Sequence, residues 1–470
     1  MPMESKRQFD RGIVAKDTFG RFYQARAAAN SVQFAYNIDF DEVIGAMACR
    51  NGSIIVGDAI AGATDILGIS AIRTATSNIE MAVVNDGSTA DMYYLNSNTW
   101  TASTGWVNKT ANKHRFAQLN GWMFVCNGAD AMLASSNGAS WVTTNCPTGI
   151  VPSYVIQYRG QLLVSTNTRV YFSSVVDPTS SPFITWTTAT NWFDVNPDDG
   201  GYITGMARVG NVLVVLKNNG MYRVDLVAEA ITPDDIYDKG AASQEALAVC
   251  QGLLYFYSGS TVYVTDGSAY PQQISRPVQA ILRQISSDDD VYMTADENNV
   301  YLDIGNITYK GDAYSNVVLR YSTRTSSWSF FGYPYRMKHA FFNDKQFYVL
   351  GGSGNKIYKF NTTDTTDNGA RIPYSATLQV IDGNSPTLTK TLENEIFVYT
   401  RDAIGSEVMV EDDKGNRGKV VIDGNTASQR INDGRTSNEF TVTWQGIRNG
   451  KQPVFEGIDI PYTNKSVRTK

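Results

Sequence analysis

The sequence predicts an all-β fold: a β-propeller of about seven blades, within a range of six to eight, followed by a C-terminal β-sandwich or barrel-like platform domain. Three observations carry this reading. A unit recurs about every 45 residues, the composition favours strands and tight turns, and the residue pattern changes abruptly near residue 368.

In the repeat, a turn residue leads into a short apolar strand, and a second turn leads into a strand usually centred on Tyr. The turn residues Asn78, Gly121, Gly160, Gly210, Gly252, Asn299 and Asp344 are spaced 43, 39, 50, 42, 47 and 45 residues apart. The apolar strands are expected at 79–84, 122–125, 161–164, 212–216, 253–257, 300–303 and 347–350. Their partners read DMYYLN, DAMLAS, TRVYFS, GMYRVD, STVYVTD, NVVLRYS and NKIYKFN. One such unit is too small to bury its apolar face, whereas a ring of them buries a continuous core. Trp100, Trp106, Trp141, Trp186, Trp192 and Trp328 fall near the expected outer ends of blades.

Composition agrees. The 470 residues include 26 Tyr and 20 Phe, with 42% hydrophobic and 18% charged residues, as in an ordinary folded chain rich in strands. One helix is expected, over 275–285. There Ser275 could cap, Pro277 suits the first turn, and Val278, Ile281, Leu282 and Ile285 form one apolar stripe.

Three regions follow. Residues 1–60 read as an N-terminal arm, with an Ala-rich stretch at 24–30 and a strand at 32–38, packing on the platform or the ring. Residues 61–368 carry the propeller, and the polar tract 361–369 marks its end. Residues 369–470 form the platform, with strands expected at 374–381, 395–399, 407–411, 418–422, 440–444 and 454–460. Asp382-Gly383, Asp423-Gly424 and Lys414-Gly415-Asn416 punctuate them.

The chemistry visible in the sequence is sparse. A net charge of −6 gives no global basic field for nucleic acid or anionic membrane. The four cysteines (Cys49, Cys126, Cys146, Cys250) lack CxxC spacing, so neither a metal site nor a disulfide framework is expected. The start has no apolar signal core and no run is long enough for a membrane span, so synthesis in a cytoplasm is expected. His114 and His339 are the only histidines and each precedes an apolar strand, which suits structural roles. The segment 296–300 begins like a calcium loop but lacks the third oxygen ligand and the Gly. Ser135-Ser136-Asn137-Gly138-Ala139-Ser140-Trp141 resembles an Asp-box hairpin turn, a mark of blades and not of active sites. No enzyme, cofactor or metal is therefore expected.

Acidic pairs are the remaining polar feature. Asp198, Asp199, Asp234, Asp235, Asp288, Asp289 and Asp290 lie in polar, turn-like stretches that read first as solvated loops, and are also candidates for lining a channel whose acidic wall lets DNA pass without sticking. The aromatic run containing Phe330, Phe331, Tyr333 and Tyr335 is a candidate interface between subunits, with a buried blade edge as the equal alternative.

The stretch 200–208 (GGYITGMAR), followed by Val212-Leu213-Val214-Val215-Leu216 and Gly220-Met221-Tyr222-Arg223-Val224, is similar to the tail-hub proteins of short-tailed bacteriophages, also called nozzle or packaged-DNA stabilisation proteins. The lone helix between blades, Val318-Leu319-Arg320-Tyr321 leading to Ser327-Trp328-Ser329, and the opening from Asn37-Ile38-Asp39 to Arg50-Asn51-Gly52 extend the resemblance over most of the chain. The resemblance implies a structural virion protein, six copies of which ring the tail channel below the portal and its adaptor. Such a ring retains packaged double-stranded DNA, passes it at ejection without specific binding, and meets spike, fibre or needle proteins. The alternatives are a propeller on a phage fibre that binds or hydrolyses glycans, and a non-viral propeller scaffold.

Overall fold

The computed structural model describes residues 3–6, 8–9, 11–14, 31–43, 45–74, 78–175, 184–187, 190–226, 231, 233–344, 346–380, 389–392, 396–424, 427–429, 436–448 and 450–464. Seven four-stranded antiparallel sheets follow one another along the chain. The first is built from Asp65–Arg73, Asn78–Asn85, Ala90–Asn96 and Thr99–Ala102, and the sixth from Tyr292–Ala295, Asn299–Tyr309, Asp312–Ser322 and Trp328–Gly332. The sequence repeat corresponds to the second and third strands of each sheet. These strands carry the most continuous apolar runs because both faces are covered by neighbouring sheets; Val212–Lys217, for example, is buried at every position but the first.

The last of the seven sheets is closed by a strand from the other end of the chain. Ile54–Ile55 pairs antiparallel with Lys356–Phe360, Ile55 opposite Tyr358 and Ile54 opposite Lys359. The expected boundary at residue 60 therefore separates this strand from the sheet it completes. The polar tract 361–369 folds back on this strand: Gly52 N donates to Asp364 O at 2.7 Å and Asn368 N to Ser53 O at 2.7 Å. Gly52 is required there, since a Cβ would stand 2.0 Å from Thr366 O.

The expected helix is shorter than its apolar stripe suggests, a 3-10 turn Arg276–Val278 running into Gln279–Leu282. Ser275 does not cap it. Its hydroxyl instead accepts the Val262 N–H at 3.0 Å, serving the neighbouring strand, and the side chain is fully buried.

The platform is a pair of sheets. One has five strands in the order Val32–Tyr36, Pro373–Leu378, Phe440–Ile447, Glu407–Asp412, Arg417–Val421. The other has eight and is centred on the long strand Val454–Asn464. Strands from the N-terminal region enter both: Val32–Tyr36 pairs with Pro373–Leu378, while Met3–Lys6 and Met47–Cys49 pair with Val454–Asn464. Period-two burial along Phe440–Ile447 points Val442 and Trp444 inward, and the Trp444 ring meets Phe455 of the second sheet at 5.4 Å. The Ala-rich stretch 24–30, Asp382-Gly383 and residues 465–470 lie outside the described residues.

Propeller and platform share one hydrophobic core, which runs from Tyr257, Met293 and Leu319 through Trp328 and Phe330 to Trp444 and Phe455. The sixth sheet makes the join because its second and third strands are eleven residues each, longer than their counterparts, so that their hairpin reaches the platform. Phe34 sits in that reach, with ring centroids 5.2 Å from Phe330, 5.4 Å from Tyr309 and 5.6 Å from Tyr314. Replacing Phe34 by Ala is expected to cost about 3 kcal/mol by removing this aromatic anchor. Equilibrium denaturation checks it, and a loss below about 1 kcal/mol would show that the ring contributes little to the join.

Three arginines fasten the same junction. Arg50, 2% exposed, uses its whole donor fork: Nε to Asn37 Oδ1 at 2.8 Å, Nη1 to Asn51 O at 2.8 Å and Asp367 Oδ1 at 3.0 Å, Nη2 to Gly332 O at 2.6 Å and Asp367 Oδ2 at 2.5 Å. Its guanidinium also lies 4.0 Å from the Tyr333 ring centroid. Arg320 of the sixth sheet forks onto Asp39, donating from Nη1 to Oδ2 at 2.6 Å and from Nη2 to Oδ1. Arg324 reaches Asp41 Oδ1 at 3.0 Å. Asn37 holds a positive φ of 57°, tolerable for Asn, and so aims its amide oxygen at both Arg50 and the Gly332 N–H. A Cβ on Gly332 would fall 2.2 Å from the Tyr36 hydroxyl, so the sheet edge must be bare here.

Candidate functional site

The first strand of each four-stranded sheet faces a common axis: Asp65–Arg73, Arg115–Leu119, Tyr154–Tyr158, Ile203–Val209, Leu247–Cys250, Tyr292–Ala295 and Lys338–Asn343. Each of these packs against the next, and the last returns to pack against the first. The fold is a β-propeller. Its axis holds a cavity of about 270 Å³ lined by residues that include Ser70, Arg115, Glu245, Tyr292, His339 and Phe341, drawn from blades one, two, five, six and seven.

A network of charges closes this part of the bore. Glu245, in the turn before the inner strand of blade five, accepts from Arg115 Nε of blade two at 2.9 Å and from Nη2 at 3.3 Å. Arg115 also donates to Ser153 O at 3.1 Å and packs 4.5 Å from the Tyr154 ring centroid. Lys113 lies 3.6 Å from Glu245 and donates to Asp289 O at 3.0 Å, tying blade two to blade six. Next to it, Arg336 joins Asp303 at 2.7 Å and Asp290 at 2.7 Å, and Lys338 joins Asp65 at 3.0 Å.

The electrostatics keep Glu245 ionised and His339 neutral. Burial alone would raise the Glu245 pKa, but the charges of Arg115 and Lys113 and the Arg115 hydrogen bond outweigh it and hold the carboxyl down at about 2. Asp303 is pushed the other way, because its complete burial exceeds the pull of Arg336. Burial and the nearby Lys113 and Arg115 bring His339 down to about 4, with Glu245 opposing. His339 borders the cavity and is therefore half-buried by surface while deep in the molecule; its ring meets Tyr292 edge-on at 4.9 Å. His114 is likewise brought down to about 4 by burial, with Nδ1 2.7 Å from Asn112 O and Nε2 3.3 Å from Asn127 Nδ2. Such a site holds fixed, mutually neutralised charge. Among the described residues there is no group of three or more His, Cys, Asp and Glu that could hold a metal ion.

The seven aspartates do not form one wall. Asp289 and Asp290 stand at the axis beside Lys113 and Arg336, while Asp288 accepts the Tyr257 hydroxyl at 2.6 Å. Asp198 and Asp199 belong to a 3-10 turn, where Asp199 accepts from the fully buried Lys217 and from the Tyr222 hydroxyl at 3.0 Å. Asp234 and Asp235 are on a strand, Asp234–Tyr237, and not in a turn; Asp234 pairs with Arg223 at 2.6 Å on the outer edge of blade four.

The aromatic run is corrected more firmly. Phe330, Phe331 and Tyr333 are 0%, 3% and 6% exposed, Phe330 in the core shared with the platform and the other two in a cluster between blades six and seven, so they offer no surface to another subunit. Tyr335 is half-buried, stacked on Tyr358 with centroids 3.4 Å apart and bonded through its hydroxyl to Ser53 Oγ at 2.5 Å. The Asp-box-like turn forms as the sequence suggests: Asn137 Oδ1 accepts the Ala139 and Ser140 N–H groups, each at 3.0 Å.

Sequence reasoning missed Arg115 and Glu245 because their contact spans 130 residues and no spacing announces it. A signal was present all the same. A charged residue stands just ahead of an inner strand, or opens it, at Arg115, Glu245, Asp290 and Lys338.

No protein-family model matches the sequence, and neither does any curated protein. Solved structures do show likeness. YCF48 bound to D1 peptide aligns at 13% identity over 67% of this chain and 96% of its own, with a TM-score of 0.42. The extracellular domain of BT4673 from B. thetaiotaomicron aligns at 12% identity over 92% of this propeller chain and 69% of its own, with a TM-score of 0.48. The β-propeller domain of Cps50 (Swd1) from Myceliophteria thermophila aligns at 8% identity over 66% and 99%, with a TM-score of 0.43. At these identities the likeness concerns architecture only. Among the described residues no helix is long and apolar enough to cross a membrane.

Proposed function

We propose that this chain is a structural subunit of a virion tail hub, assembling with copies of itself into a ring, six by the family resemblance, around the path of packaged DNA. The observation that carries the proposal is the junction between propeller and platform. Arg50–Asp367 and Arg320–Asp39 are buried ion pairs set in a shared aromatic core, which suits a rigid part under load better than a hinged one. The sequence resemblance of 200–208 and its neighbours to nozzle proteins supports the same reading.

The ionic network across the propeller axis leaves a cavity of about 270 Å³, far too small for a duplex. In this proposal the DNA path therefore lies between copies of the chain and not through any one propeller, and the aspartates facing it are to be sought on outer surfaces such as Asp234 and Asp235. The portal-adaptor above and spike, fibre or needle proteins below are the proposed neighbours, and the virion tail is the proposed location.

Gold-conjugated antibody against this chain, applied to virions raised from its source, tests the proposal. Label confined to the tail vertex is expected, with particles lacking the chain losing their DNA. Label on fibre tips, or none on virions, would overturn it.

A further inference from the structure

Away from the axis, blade five carries a groove of about 240 Å³ whose lining includes the apolar Leu253 and Val264 together with Asp266, Tyr270 and Gln272. Tyr270 is 75% exposed, the most exposed aromatic ring among the large hydrophobic side chains that face solvent. It is nevertheless held in place. Pro271 follows it and confines its backbone to extended conformations. Tyr237 of blade four meets its ring edge-on, with centroids 5.8 Å apart and planes at 86°, and Tyr237 is itself steadied by Tyr263 at 5.7 Å. Asp266 is equally fixed, its Oδ1 accepting the Ser268 N–H and hydroxyl, each at 2.8 Å. These hydrogen bonds lower its pKa and keep it charged.

We propose that this groove binds a pyranose unit of a glycan. A sugar ring has an apolar C–H face and a rim of hydroxyls. A fixed, exposed phenol ring suits the first, and a carboxylate with a carboxamide beside it suits the second, accepting and donating in turn. The cavity is that of a single small ligand, below the range of drug-sized pockets. Only one ring presents itself, with its neighbour edge-on. A proline-rich peptide needs a row of aromatic ridges, so the sugar is the better occupant. The site lies on the outer part of the propeller and does not depend on the tail-hub reading.

Saturation-transfer NMR of the full chain with a panel of methyl α- and β-pyranosides, neutral, N-acetylated and acidic, tests this directly. At least one member should receive saturation on its ring protons. Tyr270→Ala should reduce that signal at least tenfold and Gln272→Ala more weakly, while both variants melt with the wild type because the two side chains are exposed. No transfer to any pyranoside would overturn the proposal. So would transfer that survives Tyr270→Ala, or binding of a polyproline peptide in place of the sugars.

Discussion

Replacing Arg50 by Ala will destabilise the protein by about 3–5 kcal/mol, because it strands the buried Asp367 carboxylate without its partner. The loss goes beyond one ion pair. Asn37 Oδ1 and Gly332 O lose donors as well, and the Tyr333 ring loses the cation over its face. Since the residue links two domains, the effect should be uneven. Scanning calorimetry of the wild type is expected to show one transition, and R50A two, as the platform and propeller melt apart. The double variant Arg50→Met with Asp367→Leu should recover much of the loss, because a buried pair exchanged for apolar groups leaves no orphan charge. A cost for R50A below about 1 kcal/mol would refute the clasp.

Acid should weaken the fold in two successive windows. His114 and His339 are neutral in the native state, with pKa values brought down from 6.5 to about 4. An unfolded chain takes up these protons near pH 6.5 and the folded one does not, so stability is full above that value and declines until about pH 4. Each shift corresponds to roughly 3 kcal/mol if fully expressed. The groups facing His339 are Lys113, Arg115, Glu245, Asp65 and the Tyr292 ring; those facing His114 are Asp130, Arg115, Lys109 and the Asn112 and Asn127 groups. The second window belongs to Glu245, whose native pKa of about 2 means that its stabilisation, present above 4.5, fades as pH falls from there to 2. Denaturant midpoints measured from pH 7.5 to 3 give the profile. The variant with both histidines changed to Asn should be flat from pH 6.5 to about 5 and still fall below 4.5. A wild-type midpoint unchanged between pH 6.5 and 4.5 would contradict the assignment.

The architecture was legible where one strand's own residues reported its surroundings. The second and third strands of each blade are covered on both faces, so apolar runs such as Val212–Lys217 stand out from the chain around them. Inner strands such as Arg115–Leu119 and outer ones such as Gln272–Gln273 are shorter or mixed, and only pairing reveals them. The platform strands were readable through their alternation, as in Phe440–Ile447, but the contribution of Val32–Tyr36 to the same sheet was not, since it depends on a partner 340 residues away. The junction aromatics were seen and misplaced: Phe330 and Phe331 read equally as surface or core until Phe34 and Phe360 supply the cover. The axial network was invisible for the same reason, being assembled from several blades.

Ile54–Ile55 has one more consequence, for the order of events during synthesis. The strand leaves the ribosome about 300 residues ahead of Lys356–Phe360, and Val32–Tyr36 waits still longer for Pro373–Leu378. Neither domain can be completed from the front of the chain backwards. Six blades can form while translation proceeds, but the ring stays open and the early strands stay unpaired until Lys356–Phe360 and Pro373–Leu378 have emerged. Loop closure over such distances is slow, and the exposed edges invite pairing with a neighbouring nascent chain. A fold joined this late is committed to folding whole, and a truncation that removes Lys356–Phe360 and all that follows it should leave both domains unfinished at once.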